Sequence, residues 1–348
     1  MSQDRRLAAI GHVLNPGVPP LVEPFPETPT AWAQAHALSW PDLPDRYVVR
    51  LIDAGVCERE AVRTEFRAAR LLGEQGIGPA VRNADAETGV LVMDRVDGHP
   101  VRPAARWQAL SVADLLARLH SLAWDDPSRL YADKRRAAND TVLRLTERFP
   151  RLALFGEALC AFDALRGGLR GLAVPQTLCH NDLNPGNMLF DGRRGWLIDF
   201  DHVGLGDPLF DVATALDSLG LPPRAADAFL VRYFGRPPTE EETARLELLG
   251  CLALLRYGLS GLSLVPEKLV PHLASWTPDD VGRPWVFERP PHEPLGRSVF
   301  RLSLGFATAG LARLRAEPAA RALRTLGIGT DVTARREAAR VGSGHAQR

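Results

Sequence analysis

The chain has 348 residues, 45% of them hydrophobic and 24% charged, with 42 basic residues set against 42 acidic ones. That length is too great for one small core and calls for two domains or one two-lobed unit. The even charge balance argues against broad electrostatic capture of nucleic acid or of an anionic membrane, which needs a basic excess.

Residues 1–30 are proline-rich and aperiodic, and predict an extended start with a short helix near Asp4–Ile10. Ala31–Ser39 reads as a strand, Pro41–Asp45 as a turn, and the β-branched run Tyr47–Ile52 (YVVRLI) as a second strand. From Glu58 to Gln75 the residues Val62, Phe66, Ala69 and Leu72 fall on one helical stripe, which Gly76, Gly78 and Pro79 close. Val90–Val96 is a further strand, ended by Asp97-Gly98. After that the pattern turns helical. Val112–Leu122 is one helix, and residues 138–172 hold two, parted near Pro150. Met188–Phe190 and Trp196–Ile198 are short apolar strands around a hairpin turn at residues 191–195. Helices return at about 222–235, 239–264 and 297–316, and Arg335–Arg348 reads as a polar, frayed tail.

Cys57, Cys160, Cys179 and Cys251 form no CxxC pair, so neither a disulfide framework nor a structural zinc site is expected, and a cytoplasmic location fits. The N-terminus shows no signal-peptide pattern. The most apolar stretch, Leu246–Val265, is interrupted by Arg256 and reads as a buried helix rather than a membrane span.

The chemistry concentrates in LCHNDLNPGNMLFDGRRGWLIDFDHVGLGDPLFDVAT, residues 178–214. Asp182 is followed five residues on by Asn187, then by the hairpin, then by Asp199 at the end of an apolar strand. Phosphoryl transfer asks for these parts: a carboxylate to take or orient the proton of the attacking hydroxyl, and hard oxygen ligands to hold Mg²⁺ against the phosphates. Asp182 suits the first task, and Asn187 and Asp199 the second.

HNDLNPGN followed by LIDFD resembles the HxDxxxxN and IDxx motifs of the aminoglycoside phosphotransferase and choline kinase superfamily. The resemblance covers roughly residues 45–265. It implies an α+β, bilobal protein-kinase-like fold, with a small β-rich N-terminal lobe (1–97), a larger and mostly helical C-terminal lobe (98–316) and a C-terminal extension (317–348). It implies ATP and Mg²⁺ as co-substrate and cofactor, Asp182 as base, and Asn187 and Asp199 as metal ligands. Asp201 stands where the family often carries a second acid. Asp207 and Asp211 of GDPLFDVAT are expected to be structural, and His120 of LLARLHSL a satisfied core histidine.

Such a fold needs a cation on a strand to neutralise the phosphates, and an acid on the neighbouring helix to orient it. No lysine precedes Lys134, so Arg50 of YVVRLI takes the role, with Glu65 as partner and Glu60 as the fallback. Backbone groups near Met93–Val96 are expected to meet the adenine edge. The phosphate-covering loop departs from the pattern: no glycine lies between Gly17 and Gly55, which leaves Thr28 and Thr30 to serve, or a displaced loop. This keeps a nucleotide-binding pseudokinase in view.

The acceptor is a small molecule bearing a hydroxyl. HND in place of HGD, together with the run from residue 206 to 262, resembles choline, ethanolamine or thiamine kinase-like proteins; an aminoglycoside or another antibiotic or sugar is the alternative. An amine acceptor wants aromatic faces and a carboxylate. Asp201, Tyr257 and Trp276 are the candidates, with Tyr233 and Trp285 in the same segment. Glu240–Glu242 read instead as the favourable acidic start of a helix. ATP against GTP, and the oligomeric state, stay open.

Overall fold

The computed structural model describes residues 7, 10, 14, 18–24, 33–40, 46–53, 59–100, 102–126, 130–273 and 275–329. Thr28, Thr30, the Pro41–Asp45 turn and the Arg335–Arg348 tail lie outside the described residues.

The first half of the N-terminal lobe's logic is the strand Arg46–Ile52 (β3). Val49 and Leu51 are buried with Leu38, Trp40, Val90 and Val92 on one face of the sheet. Alternation therefore sends Arg50 to the opposite face. There Ile52 and Leu91 pack with Phe66 and Leu72 of helix α1 (Arg59–Glu74). The sheet is five-stranded and antiparallel in the order β1-β2-β3-β5-β4, with β1 Leu21–Pro24, β2 Ala33–Ser39, β4 Val81–Asp85 and β5 Val90–Asp94. Strand β1 falls where an extended start was expected. All four of its residues are exposed, so no apolar alternation marks it. Strand β4 was also unforeseen; it is polar and carries a register shift between Val81 and Asn83.

Helix α1 ends in the GIGP turn. Gly76 takes a left-handed φ of 61°, and the amides of Ile77 and Gly78 both donate to the Leu72 carbonyl. Strand β5 stops at Asp94, short of the expected Val96. Val96 lies in the link to the second lobe, which docks when His99 and Phe190 exchange backbone hydrogen bonds of 3.2 and 3.1 Å.

The second lobe holds α2 (Arg106–His120), α3 (Leu130–Arg148), α4 (Ala153–Arg170), α5 (Pro208–Ser218), α6 (Pro223–Phe234), α7 (Glu240–Ser263), α8 (Val270–Leu273), α9 (Leu295–Leu314) and α10 (Glu317–Thr325). Helix α7 starts in a capping box: Thr239 Oγ1 accepts the Glu242 amide and Glu242 returns to the Thr239 amide. It is long and apolar enough to cross a membrane by length and composition, yet 72% of its most apolar stretch is buried inside the protein, as expected of a core helix. It packs on α5, α4, α9 and α10. Helix α10 adds Ala319, Ala322 and Leu323 to the same core. Two small antiparallel strand pairs complete the lobe. The hairpin β7 (Met188–Phe190) and β8 (Gly195–Leu197) matches the sequence reading; the pair β6 (Thr177–Cys179) and β9 (Gly204–Gly206), which closes around that hairpin, does not show in it.

Candidate active site

The loop His180–Asn187 follows β6 and is held from behind by Asp211 of α5. That carboxylate, with no exposure, accepts the His180 amide at 2.7 Å and the Asn181 amide at 2.8 Å. His120 Nε2 also reaches it at 3.2 Å, and Tyr233 hydroxyl meets His120 Nδ1 at 2.8 Å. Asp207 caps α5 through the Leu209 amide and takes both its oxygens to Arg245 at 2.7 Å. Asp211 thus holds the loop directly, and His120 and Tyr233 steady Asp211.

Within the loop, His180 has one tautomer that satisfies both neighbours. Its Nε2 lies 2.9 Å from the Ile198 carbonyl, which only accepts, and its Nδ1 takes the Asp182 amide at 3.3 Å. Ile198 is pinned a second time, since its amide donates to the Asn187 carbonyl at 3.1 Å. The residue before Asp199 is therefore fixed against both the His180 ring and the Asn187 carbonyl across the hairpin. Asp199 adopts a left-handed φ of 64°, an uncommon backbone state for a side chain of this type and one that clusters at functional sites.

Asp182 is gripped at both oxygens. Tyr257 hydroxyl donates to Oδ1 at 2.7 Å. Asn184 and Asn187 amide groups donate to Oδ2 at 3.2 and 3.1 Å. Asn187 also donates to the Asp182 carbonyl at 2.8 Å. Its nitrogen is thus committed to Asp182, and its oxygen makes no hydrogen bond among the described residues; a carbonyl oxygen of this kind is what a hard cation binds.

The sheet delivers the cation. Arg50 Nε lies 2.8 Å from Glu65 Oε1, and Arg50 NH1 lies 2.9 Å from Asp199 Oδ1. Glu65 sits on the buried stripe of α1, so its charge requires this partner. Glu60, the fallback, instead lies 3.6 Å from Arg63 on the same helix.

Two carboxylates and an imidazole crowd one place. A ligand oxygen of Asp182, one of Asp201 and a ring nitrogen of His202 all lie within 4.8 Å of one another. Burial pushes the Asp199 carboxyl up to about 6; Arg50 opposes this, and Asp201 and Asp182 add to it. A set of carboxylate and amide oxygens with mutual repulsion is a donor set that fits Mg²⁺.

Met93 lies opposite Val48 on β5, and Val96 just beyond. Asp94 and Arg95 donate their amides to the Ala80 and Arg46 carbonyls. The Val96 amide and carbonyl make no such backbone bond among the described residues, which suits the edge of a planar base.

Tyr257 stacks on Phe306 at 5.3 Å and meets Trp285 edge-on at 4.7 Å. Trp276 shows no ring contact with this group among the described residues. Its indole donates to the Arg151 carbonyl at 3.2 Å, which ties it to the turn before α4. Sequence reasoning missed Asn184, Arg256 and Phe306; the first was visible as a second asparagine inside the motif, whereas the other two meet the site only through helix packing.

A model of the phosphotransferase enzyme family (APH) matches residues 34–248. Protein LicA of Haemophilus influenzae is 49% identical over 55 residues, which is 16% of this chain and 21% of that protein. The chain thus spans about a fifth of the length of that curated relative. A choline/ethanolamine kinase family protein from Mesorhizobium loti superposes with a TM-score of 0.66 at 19% identity, covering 93% of this chain and 98% of the other. Choline kinase LicA from Streptococcus pneumoniae gives 0.61 at 16%, covering 89% and 98%. These likenesses establish the bilobal, kinase-like α+β fold.

Proposed function

The chain belongs to the phosphotransferase enzyme family, and from that premise we propose that it moves the γ-phosphoryl group of ATP onto a hydroxyl of a small amino alcohol of the choline type. The N-terminal lobe (1–97) binds nucleotide, with the Met93–Val96 backbone on the base and Arg50, steered by Glu65, on the phosphates. Asn187 and Asp199 would hold Mg²⁺, which when bound offsets phosphate charge. Asp182 accepts the proton of the acceptor hydroxyl as its oxygen bonds to the γ-phosphorus and the bond to the leaving ADP oxygen breaks. Asp201 supplies negative charge beside Asp182, and the Tyr257, Trp285 and Phe306 rings line the side on which a substituted ammonium group is favoured. The work takes place in the cytoplasm, with neither nucleic acid nor membrane as partner.

The observation that carries this reading is the run of contacts Glu65–Arg50–Asp199, which joins a strand cation to the residue expected to bind metal. The test is ADP release with ATP, Mg²⁺ and a panel of amino alcohols, aminoglycosides and sugars. Turnover on an amino alcohol, lost by roughly 10²–10⁴-fold in Asp182→Asn, supports it. Turnover on antibiotics alone moves the acceptor assignment, and nucleotide binding without turnover on any acceptor overturns it.

A further inference from the structure

We propose that Arg256 is a positioning residue for the base: from helix α7 it clamps the peptide plane that aims Asp182 and sets a positive charge beside that carboxylate. This rests on the reading of Asp182 as the group that receives the acceptor proton.

Arg256 is a charged residue inside a long, apolar and largely buried helix, and it is 4% exposed. A guanidinium so buried requires compensation for its lost hydration. Its NH1 donates to the Asn181 carbonyl. Its NH2 lies 3.8 Å from Asp182 Oδ1. The rings of Phe210 and Tyr257 lie 5.6 and 5.1 Å from its central carbon. The named contacts gather on the Asp182 loop and on the helices that support it.

What the contact does follows from Asn181. This residue has a φ of 62°, a left-handed state that disfavours most side chains by about 1–2 kcal/mol and that Asn tolerates best after Gly. Its amide goes to Asp211 at 2.8 Å, and its side-chain Nδ2 donates to the His202 carbonyl at 3.1 Å. Its carbonyl is taken by Arg256. The next amide, on Asp182, is taken by His180 Nδ1 at 3.3 Å. The peptide plane between residues 181 and 182 is thus held at its oxygen by Arg256 and at its N–H by His180. Rotation of that plane would swing the Asp182 side chain, so releasing the oxygen frees the direction in which the carboxylate points.

Helix packing fixes the height of Arg256. A Cβ on Gly258 would sit 2.8 Å from the Ala307 amide nitrogen, and one on Gly310 would sit 3.0 Å from that of Leu255. Helices α7 and α9 therefore touch backbone to backbone on either side of Arg256, and it cannot slide along the loop.

The experiment compares Arg256→Met, Arg256→Lys and Arg256→Ala with wild type, using ATP, Mg²⁺ and the best amino alcohol of the panel. Arg256→Met should lower kcat about 100-fold, the scale of a reacting group misplaced by about 1 Å. The KM for ATP should stay within about threefold, because Arg256 touches neither Arg50 nor Asp199 in the contacts above. Arg256→Lys should recover part of kcat, and millimolar guanidinium should raise the rate of Arg256→Ala but not of Asp182→Asn. A role confined to folding would give neither the split between kcat and KM nor the rescue. Wild-type kcat in folded Arg256→Met overturns the proposal. If that variant fails to fold, a folded Arg256→Lys decides: kcat unchanged there, with no guanidinium effect on Arg256→Ala, overturns it equally. Full activity in Asp182→Asn would instead remove the reading of the base on which the proposal stands.

Discussion

Arg50 NH1 lies 2.9 Å from Asp199 Oδ1 although one residue is at the centre of the N-terminal sheet and the other follows a hairpin of the helical lobe. The arginine has its other arm on Glu65 at 2.8 Å, so it is aimed before any ligand arrives. In the proposed role, replacing it by Met removes a charged donor from the phosphates and takes from Glu65 the contact with Arg50. Arg50→Met is expected to weaken ATP binding by about 10- to 100-fold, the scale of hydrogen bonds to charged groups. Lysine, with a single point charge, should restore only part of this, since it cannot span Glu65 and Asp199 together. Calorimetric titration with a nonhydrolysable ATP analogue measures both, and an unchanged affinity in Arg50→Met would remove the phosphate role.

Tyr257 donates to Oδ1 of Asp182, the carboxylate proposed to receive the acceptor proton. Tyr257→Phe keeps the ring on Phe306 and Trp285 and removes one hydrogen bond. The acceptor KM is expected to rise about tenfold, with the KM for ATP unchanged. Steady-state kinetics in both substrates checks this; a change confined to ATP would place Tyr257 elsewhere in the reaction.

The motif segment was legible because its chemistry is local: Asp182, Asn187 and Asp199 sit at spacings that one loop and one hairpin bring together. Arg50 and Glu65 were legible for another reason. Each is a charge inside an apolar pattern, and two such misfits on adjacent elements satisfy one another. Strand β1 was not legible because it has no buried face, and β6 and β9 because they pair across residues 180–203 with no tight turn joining them to mark the pair, as the Asp191-Gly192 turn marks β7 and β8. That Trp285 meets the Tyr257 ring depends on how an irregular stretch between α8 and α9 folds back, which no period encodes. Arg256 was noticed only as an interruption of an apolar run; its meaning lies in a carbonyl of another element.

Gly78 marks where the lobes press together. A Cβ there would lie 2.7 Å from the Phe200 ring and 3.3 Å from the Leu197 carbonyl, and Phe200 is the residue after Asp199. Gly78→Ala should therefore destabilise by about 1–3 kcal/mol through overpacking, and should lower ATP affinity as well by shifting Asp199. Urea unfolding and ATP titration on the same sample test the coupling. Loss of stability with ATP affinity intact would show that Phe200 moves alone.

Glu242 links acid stability to helix α7. The hydrogen bonds from Arg236, with those from Thr239, draw its carboxyl down from about 4.5 to about 2. The folded value lies below the unfolded one, so the stabilisation is complete above about 4.5 and is lost as pH falls toward about 2. Glu242→Gln keeps the capping-box acceptor but loses the charge pair with Arg236, so it should lower stability by about 1 kcal/mol at neutral pH, and the two curves should converge near pH 2. Urea unfolding across that range measures the gap; a gap independent of pH would mean that the carboxylate charge has no part in it.

The wall beside Asp182 has two kinds of material in it. Tyr257 and Phe306 come from helices locked together at backbone contact, whereas Trp285 comes from the proline-rich stretch that joins α8 to α9. That stretch is anchored on α9 where the Gly282 amide donates to the Arg301 carbonyl at 2.8 Å, so on the proposed function substitutions at Trp285 that keep this anchor are a route to new acceptors that leaves Asp182 and Arg50 in place.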